Sequence, residues 1–278
     1  MVFQQNEFDV LEKVMVCPPT YMRITNVINE TQKFYKDENI DVEIANRQHE
    51  QFVRTLEEHG VKVLSIDPKE ELNEQVFTRD IGFTIGDTVY ISKMGGSEIR
   101  EHEVELLEEF LKNRNFNYMK LTTPSIEGGD VVLAGDRVWI GISERTTYQA
   151  VDALQEIIQD RKLMPIPISE DILHLDCAFN LLSEKEGLIY TSAFKQRELD
   201  RLMEMYDLIE VSDDEQFTLG TNVFSIGNKT VISLPENKNV NSELRARGYQ
   251  VIEVEFSEVI KSGGAFRCCT LPIRRTNR

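Results

Sequence analysis

Residues 262–273, SGGAFRCCTLPI, hold two of the chain's four cysteines side by side. A thiolate is the strongest nucleophile among ordinary side chains. Successive side chains of a strand face opposite ways, so an extended backbone here lets only one of Cys268 and Cys269 serve a given site. His174 stands two residues before Asp176, which on a strand puts both side chains on one face. An imidazole beside a carboxylate is a general acid and base near neutral pH. His49, His59 and His102 fall in helical, charge-rich surroundings and read as solvated. Glu127 precedes two glycines, which allow close approach where a side chain would block it.

These residues need a scaffold, and an internal repeat supplies one. DIGFTIGDTVYIS begins at Asp80, DVVLAGDRVWIGIS at Asp130, DCAFNLLSEKEGLIYTSA at Asp176 and NVFSIGNKTVISLP at Asn222. Each is two β-rich runs around a short turn, the pattern of a hairpin. The starts follow one another at 46 to 50 residues, and a further 46 lands on Cys268. Regular spacing of this size marks a repeat architecture. Helical patterns lie between the hairpins, the clearest at 97–114 and 145–161, with weaker ones near 44–60, 195–206 and 237–248. The unit is hairpin, helix, strand (ββαβ), five times over, with KVMVCPP (13–19) closing the ring beside the C-terminal hairpin. The expected fold is a five-fold pseudosymmetric α/β propeller, one domain over 1–278. Its hairpin starts, Asp80, Asp130, Asp176, Asn222 and Cys268, all face the central axis. That register makes Cys268 the nucleophile and turns Cys269 into the packing.

Composition limits the partners. The 278 residues are 41% hydrophobic and 28% charged, as in a globular protein. The formal charge is −17, from 48 acids against 31 bases, which argues against a nucleic acid or an anionic membrane. A negative field favours a small cation, although most acids fall in EELNEQ (70–75), EHEVELLEEF (101–110) and SDDEQ (212–216), which read as solvated faces. No signal peptide or membrane span is read. Four cysteines make no disulfide framework, so reduced thiols in a cytoplasm are expected. Self-association into a homo-oligomer is compatible with the sequence, which does not decide it.

Four clusters fall at or beside the hairpin starts: FTRD (77–80), EGGD (127–130), HLD (174–176) and GGAFRCC (263–269). In these, over nearly its whole length, the chain resembles the guanidine-modifying enzymes of the pentein superfamily. These are the arginine deiminases, dimethylarginine dimethylaminohydrolases and amidinotransferases. The resemblance implies catalysis by Cys268, His174 and Glu127, with Glu127 bonding the guanidinium and orienting the histidine. Asp80 and Asp176 would grip the guanidinium by charge-assisted hydrogen bonds. Phe77 would wall its flat face, and Arg79 would point away from the channel as a structural residue. Arg145 and, with a shift of one or two residues, Arg100 would hold a substrate carboxylate near helix N-termini. Asp130 is equally readable as a substrate ligand or as a support behind the site, and Asn222 as a support.

The implied activity is cofactor-independent hydrolysis of a small cationic guanidino compound, giving a ureido product and ammonia or an alkylamine. Glu127, His174, Asp176 and Cys268 are also a zinc set, but no CxxC or HExxH spacing occurs and the resemblance implies no metal. A dimethylarginine hydrolase proper, an amidinotransferase and a non-catalytic, ribosome-binding pentein are the alternatives; the last lacks the Cys/His/Glu set. A redox role for Cys268–Cys269 would need a strained vicinal disulfide. The chain is too short for the extra helical insertion of arginine deiminases, yet carries their HLD; dimethylarginine hydrolases are this short but typically lack that aspartate.

Overall fold

Alternation of apolar residues along the paired β-runs produces five three-stranded sheets of one design. The structure, a computed structural model, describes residues 1–96, 98–122 and 124–277. Strands β1 (Val10–Val16) and β2 (Lys62–Ser65) flank helix α2 (Val42–Glu58), which follows a short α1 (Glu30–Tyr35). Next come β3 (Gly82–Ile85), β4 (Thr88–Ile91), α3 (Glu98–Asn113) and β5 (Tyr118–Lys120). The third unit is β6 (Val131–Ala134), β7 (Arg137–Ile142), α4 (Tyr148–Ile157) and β8 (Lys162–Pro167). The fourth is β9 (Phe179–Leu181), β10 (Glu186–Ile189), α5 (Gln196–Met203) and β11 (Asp207–Glu210). After α6 (Asp213–Phe217), the fifth is β12 (Phe224–Gly227), β13 (Thr230–Ser233), α7 (Lys238–Ala246) and β14 (Gln250–Glu253).

In each unit the first two strands pair antiparallel and the third returns parallel after its helix, since a parallel return needs a crossover connection. The remaining sheet joins the chain's ends, with β15 (Leu271–Thr276) antiparallel to β1, Val10 opposite Thr276. The pentein ββαβ propeller expected from the repeat is the fold. The hairpin strands β3, β12 and β13 are buried throughout, whereas β2, β5 and β14 carry exposed residues, so each hairpin lies inward and each third strand outward. The helices cover this outer layer with one apolar face; α4 buries Ala150, Val151 and Leu154 and is capped by Thr147, whose side chain accepts the Ala150 N–H. The helix expected from 97 is α3; Ser97 itself lies outside the described residues.

Three expectations are corrected. The chemical residues lie in turns ahead of the hairpins, not on strands: single 3₁₀ turns span Gly128–Asp130 and Leu175–Cys177, and Asp80 and Cys268 occupy turns before β3 and β15. A turn aims its side chains at the axis, which a pleated strand packed on both faces cannot do. Secondly, each of the three acidic segments read as solvated contributes an inward acid. Glu103 bonds the Arg100 guanidinium, Glu215 accepts the N–H groups at the start of α7, and Glu74 faces a cavity. Thirdly, His49 is a core residue of α2, and burial pushes its pKa down to about 4.

Beneath the chemical residues lies a buried charge network. Glu7 accepts from the Arg267 guanidinium at 2.7 Å and is 3.8 Å from that of Arg79. Burial alone would raise its pKa; the two arginines outweigh burial and pull it to about 2. An ionised carboxylate is tolerated in a core only with such partners.

Candidate active site

Cys268 is held by backbone and side chain together. Its N–H donates to Asn222 Oδ1 at 3.1 Å, and Asn222 Nδ2 lies 3.1 Å from its sulfur. Its carbonyl accepts the Arg79 N–H at 3.0 Å. Both carboxylate oxygens of Asp176 lie 3.7 Å from the sulfur, and one is 3.5 Å from Arg267 Nε. Burial raises the Asp176 pKa, against the opposing pull of Arg267 and His174. Cys269 has no exposure at all and belongs to the core. The two thiols are thus divided between cavity and packing, by a turn and not by strand alternation.

His174 precedes a 3₁₀ turn, and both of its ring nitrogens meet carboxylates. Nε2 is 2.7 Å from Glu127 Oε2, and Nδ1 is 3.4 Å from Asp80 Oδ1. Two N–H donors exist together only in the imidazolium. Burial opposes that charge, but Asp80 and the hydrogen bond to Glu127 hold the pKa well above its usual value. The ring rests against Gly129, where a Cβ would come within 2.7 Å of it. Gly128, directly after the glutamate, is needed for another reason: a Cβ there would stand 2.2 Å from the Arg79 carbonyl oxygen and 2.6 Å from that of Gly82.

Glu127 Oε1 accepts the Gly95 N–H at 2.9 Å, so one oxygen is fixed by backbone and the other faces the imidazole. Asp130 is buried behind the histidine: Oδ1 accepts the Leu175 N–H at 2.9 Å and Oδ2 accepts from Ser143 at 2.7 Å. Burial raises its pKa to about 6. Asp130 therefore ties the His174 segment to the second hairpin and does not line the cavity that Asp80, His174 and Cys268 share.

Arg100 departs from expectation. Its guanidinium lies on Asp80 at 2.8 Å and on Glu103 at 2.9 Å, so its charge is committed to buried carboxylates. Arg145 lies ahead of the Thr147 cap instead of opening the helix, donates to the Gly95 carbonyl and lies 3.9 Å from Glu127. Neither is placed as a free cation, because each guanidinium already has a carboxylate or carbonyl partner in the fold.

A cavity of about 20 Å³ unites Phe77, Asp80, Arg100, His174 and Cys268 with Glu74, Cys177 and Gly264. Phe77 packs on Gly264, where a Cβ would sit 2.3 Å from the ring. A larger hollow of about 270 Å³ adjoins it, sharing Leu173, Cys177 and Gly263. A more voluminous hollow, about 730 Å³, lies elsewhere, between residues such as Phe8 and Tyr206, and gathers none of this chemistry. Size alone does not mark the site.

Two members escaped the sequence. Glu74 accepts from Gln32 at 3.2 Å, and burial, countered by Arg100, raises its pKa to about 7. It stands six residues before Asp80, off the repeat register. Cys177 follows HLD directly, and its apolar neighbours concealed it. The ligand atoms of Asp80, Glu127 and His174 lie within 4.8 Å of one another, as do those of Asp176, Cys177 and Cys268. Each set could offer three atoms to a metal, but the first already has Arg100 on Asp80 and the Gly95 N–H on Glu127. Among the described residues, no helix is long and apolar enough to cross a membrane.

Comparison with known proteins adds a second line. A family model described as N,N dimethylarginine dimethylhydrolase, eukaryotic, matches residues 18–275. YkgA of Bacillus subtilis, an uncharacterized protein, is 48% identical over 271 residues, 98% of this chain and 94% of that one. The N(G),N(G)-dimethylarginine dimethylaminohydrolase of Mycobacterium tuberculosis is 27% identical, covering 92% of this chain and 84% of its own. Among solved structures, the N-terminal domain of ArgZ, an arginine dihydrolase from the ornithine–ammonia cycle in cyanobacteria, superposes with a TM-score of 0.87. It is 22% identical over 96% of this chain and 98% of that one, a likeness of fold.

Proposed function

The chain belongs to the N,N dimethylarginine dimethylhydrolase family of the guanidine-modifying pentein superfamily. From that premise we propose that it hydrolyses the guanidinium carbon of arginine or an arginine-like compound. Relatives in the superfamily are amidine-hydrolysing enzymes, and guanidino-group hydrolysis or transfer is the chemistry common to them. The observation that carries the reading is His174, held between Glu127 and Asp80 in the cavity that Cys268 also lines.

Cys268 as thiolate attacks the guanidinium carbon, forming a C–S bond and a tetrahedral centre. Asn222 Nδ2 donates to the attacking sulfur. His174, charged in the resting site, gives its proton to the departing nitrogen, and the C–N bond breaks. An amidino-thioether on Cys268 and a neutral imidazole remain. Water yields one proton to His174 and attacks the same carbon; the C–S bond then breaks, a second proton passes to the released amine or to solvent, and the ureido product and the thiolate are freed. Asp80 and Glu74 accept from the guanidinium, Asp176 accepts from its side nearest the sulfur, and Phe77 covers its face. A guanidinium is planar with five to six donors, so converging carboxylates suit it better than they suit an ammonium.

A colorimetric ureido-product screen over arginine, its methylated forms, agmatine and guanidino acids tests the reading. Product from at least one of them supports hydrolysis. Formation of a new amidino compound only when an acceptor amine is supplied would reassign the chain to transfer.

A further inference from the structure

We propose that Cys177 is a resolving thiol for Cys268, so that oxidation closes a reversible Cys177–Cys268 disulfide across the active site. The two sulfurs lie within 4.8 Å of each other, and both meet Asp176 Oδ1, at 3.6 and 3.7 Å. Both thiols line the small cavity, at 6% and 4% exposure, whereas Cys17 and Cys269 have none. Cys177 also lines the larger hollow beside it, which gives a small oxidant a path. A cavity of about 20 Å³ holds one water-sized molecule, and the adjoining hollow of about 270 Å³, which Cys177 also lines, has room for hydrogen peroxide.

The backbones of both residues are fixed. The Cys177 carbonyl accepts from Gln216 at 2.7 Å and from Thr221, and its N–H donates to the His174 carbonyl at 3.1 Å. Cys268 is fixed by Asn222 and Arg79. Closing to the bond length of about 2.05 Å is therefore a matter of side-chain rotation. The adjacent Cys269 is the poorer partner, because it is turned into the core and a vicinal disulfide is strained.

The chemistry balances with a hydroperoxide as oxidant. The Cys268 thiolate attacks one peroxide oxygen, the O–O bond breaks, and the leaving hydroxide is protonated to water. Cys268 is then a sulfenic acid. The Cys177 sulfur attacks it, the S–S bond forms, the S–O bond breaks, and the leaving hydroxide takes the thiol proton as a second water. Two electrons pass from the pair of thiols to the peroxide. The disulfide stops turnover but protects Cys268 from irreversible sulfinic and sulfonic acids, and a dithiol restores both thiols.

This inference rests on the proposed function only in taking Cys268 as the reactive thiolate, and its test needs no substrate. Reduced protein is treated with a small excess of hydrogen peroxide, alkylated and digested without reductant. A loss of two hydrogen masses and a Cys177–Cys268 crosslinked peptide are expected, both reversed by dithiothreitol. Cys177→Ser should instead accumulate sulfinic and sulfonic acid on Cys268 that dithiothreitol does not reverse. A Cys268–Cys269 link, or over-oxidised Cys268 beside free Cys177 in the unmodified protein, would overturn it. A crosslink in a protein without hydrolase activity would reject the proposed function alone.

Discussion

Asn222 grips Cys268 at both ends, its Oδ1 on the cysteine N–H and its Nδ2 on the sulfur, each at 3.1 Å. The amide thus fixes the turn and donates to the nucleophile in its anionic form. A hydrogen bond to a charged group contributes about 1.5–3 kcal/mol. Asn222→Ala should therefore slow turnover roughly ten- to a hundredfold, at 1.4 kcal/mol per factor of ten. The pH profile of Cys268 alkylation should also move upward. A variant with slower turnover and an unmoved alkylation profile would show that Asn222 only shapes the turn.

The His174 imidazolium gives stability a definite pH dependence. Its folded pKa lies well above the unfolded 6.5, because Asp80 and Glu127 outweigh burial. The stabilisation is complete below about 6.5 and is lost as pH rises through the folded value. His174→Gln should cost more stability near pH 6 than near pH 10 in denaturant melts of both proteins. A difference that grows with pH would refute the charged histidine held between two carboxylates.

Glu74 works in the opposite sense. Burial raises its folded pKa from 4.5 to about 7, so the folded state loses stability as pH rises between those values. Glu74→Gln, which cannot ionise, should melt higher than the unmodified protein at pH 8 and show a smaller advantage at pH 5. The same change should raise KM for a guanidino substrate roughly tenfold, by losing a contact of about 1.4 kcal/mol. An unchanged KM would remove Glu74 from the binding wall.

The fold was readable because its signal is local and repeated: alternating hairpins, amphipathic helices and one register that ends on Cys268. The site was readable where residues share that register, as Asp80, Asp130, Asp176, Asn222 and Cys268 do. What was hidden depends on partners far away in the chain. Glu74 is turned inward by Gln32 and Ser262, and the charge of Arg100 is spent on Asp80, twenty residues back. An acid or arginine in a polar segment looks the same whether water or a distant side chain satisfies it. The turn geometry of His174 and Cys268 was likewise masked, because the β-rich residues that follow each turn carry the stronger pattern.

Asp176 supplies a test of substrate choice. It is fully buried, with both oxygens 3.7 Å from the Cys268 sulfur. Asymmetric dimethylation removes both donors from one guanidinium nitrogen and brings two methyl groups toward a carboxylate. An unpaired desolvated group costs about 1–3 kcal/mol. Unmethylated guanidines should then be preferred roughly ten- to a hundredfold in kcat/KM, and Asp176→Asn should narrow the gap. Equal or better turnover of asymmetric dimethylarginine by the unmodified protein would mean that Asp176 does not meet the guanidinium.

The central claim is covalent catalysis at Cys268. Acid quenching of the protein during turnover, followed by peptide mass spectrometry, should find the amidino adduct on the peptide carrying Cys268. The adduct and the ureido product should both vanish in Cys268→Ser, while Cys269→Ser keeps most of its activity. An adduct on Cys17 or Cys177, or undiminished turnover by Cys268→Ser, would contradict the account.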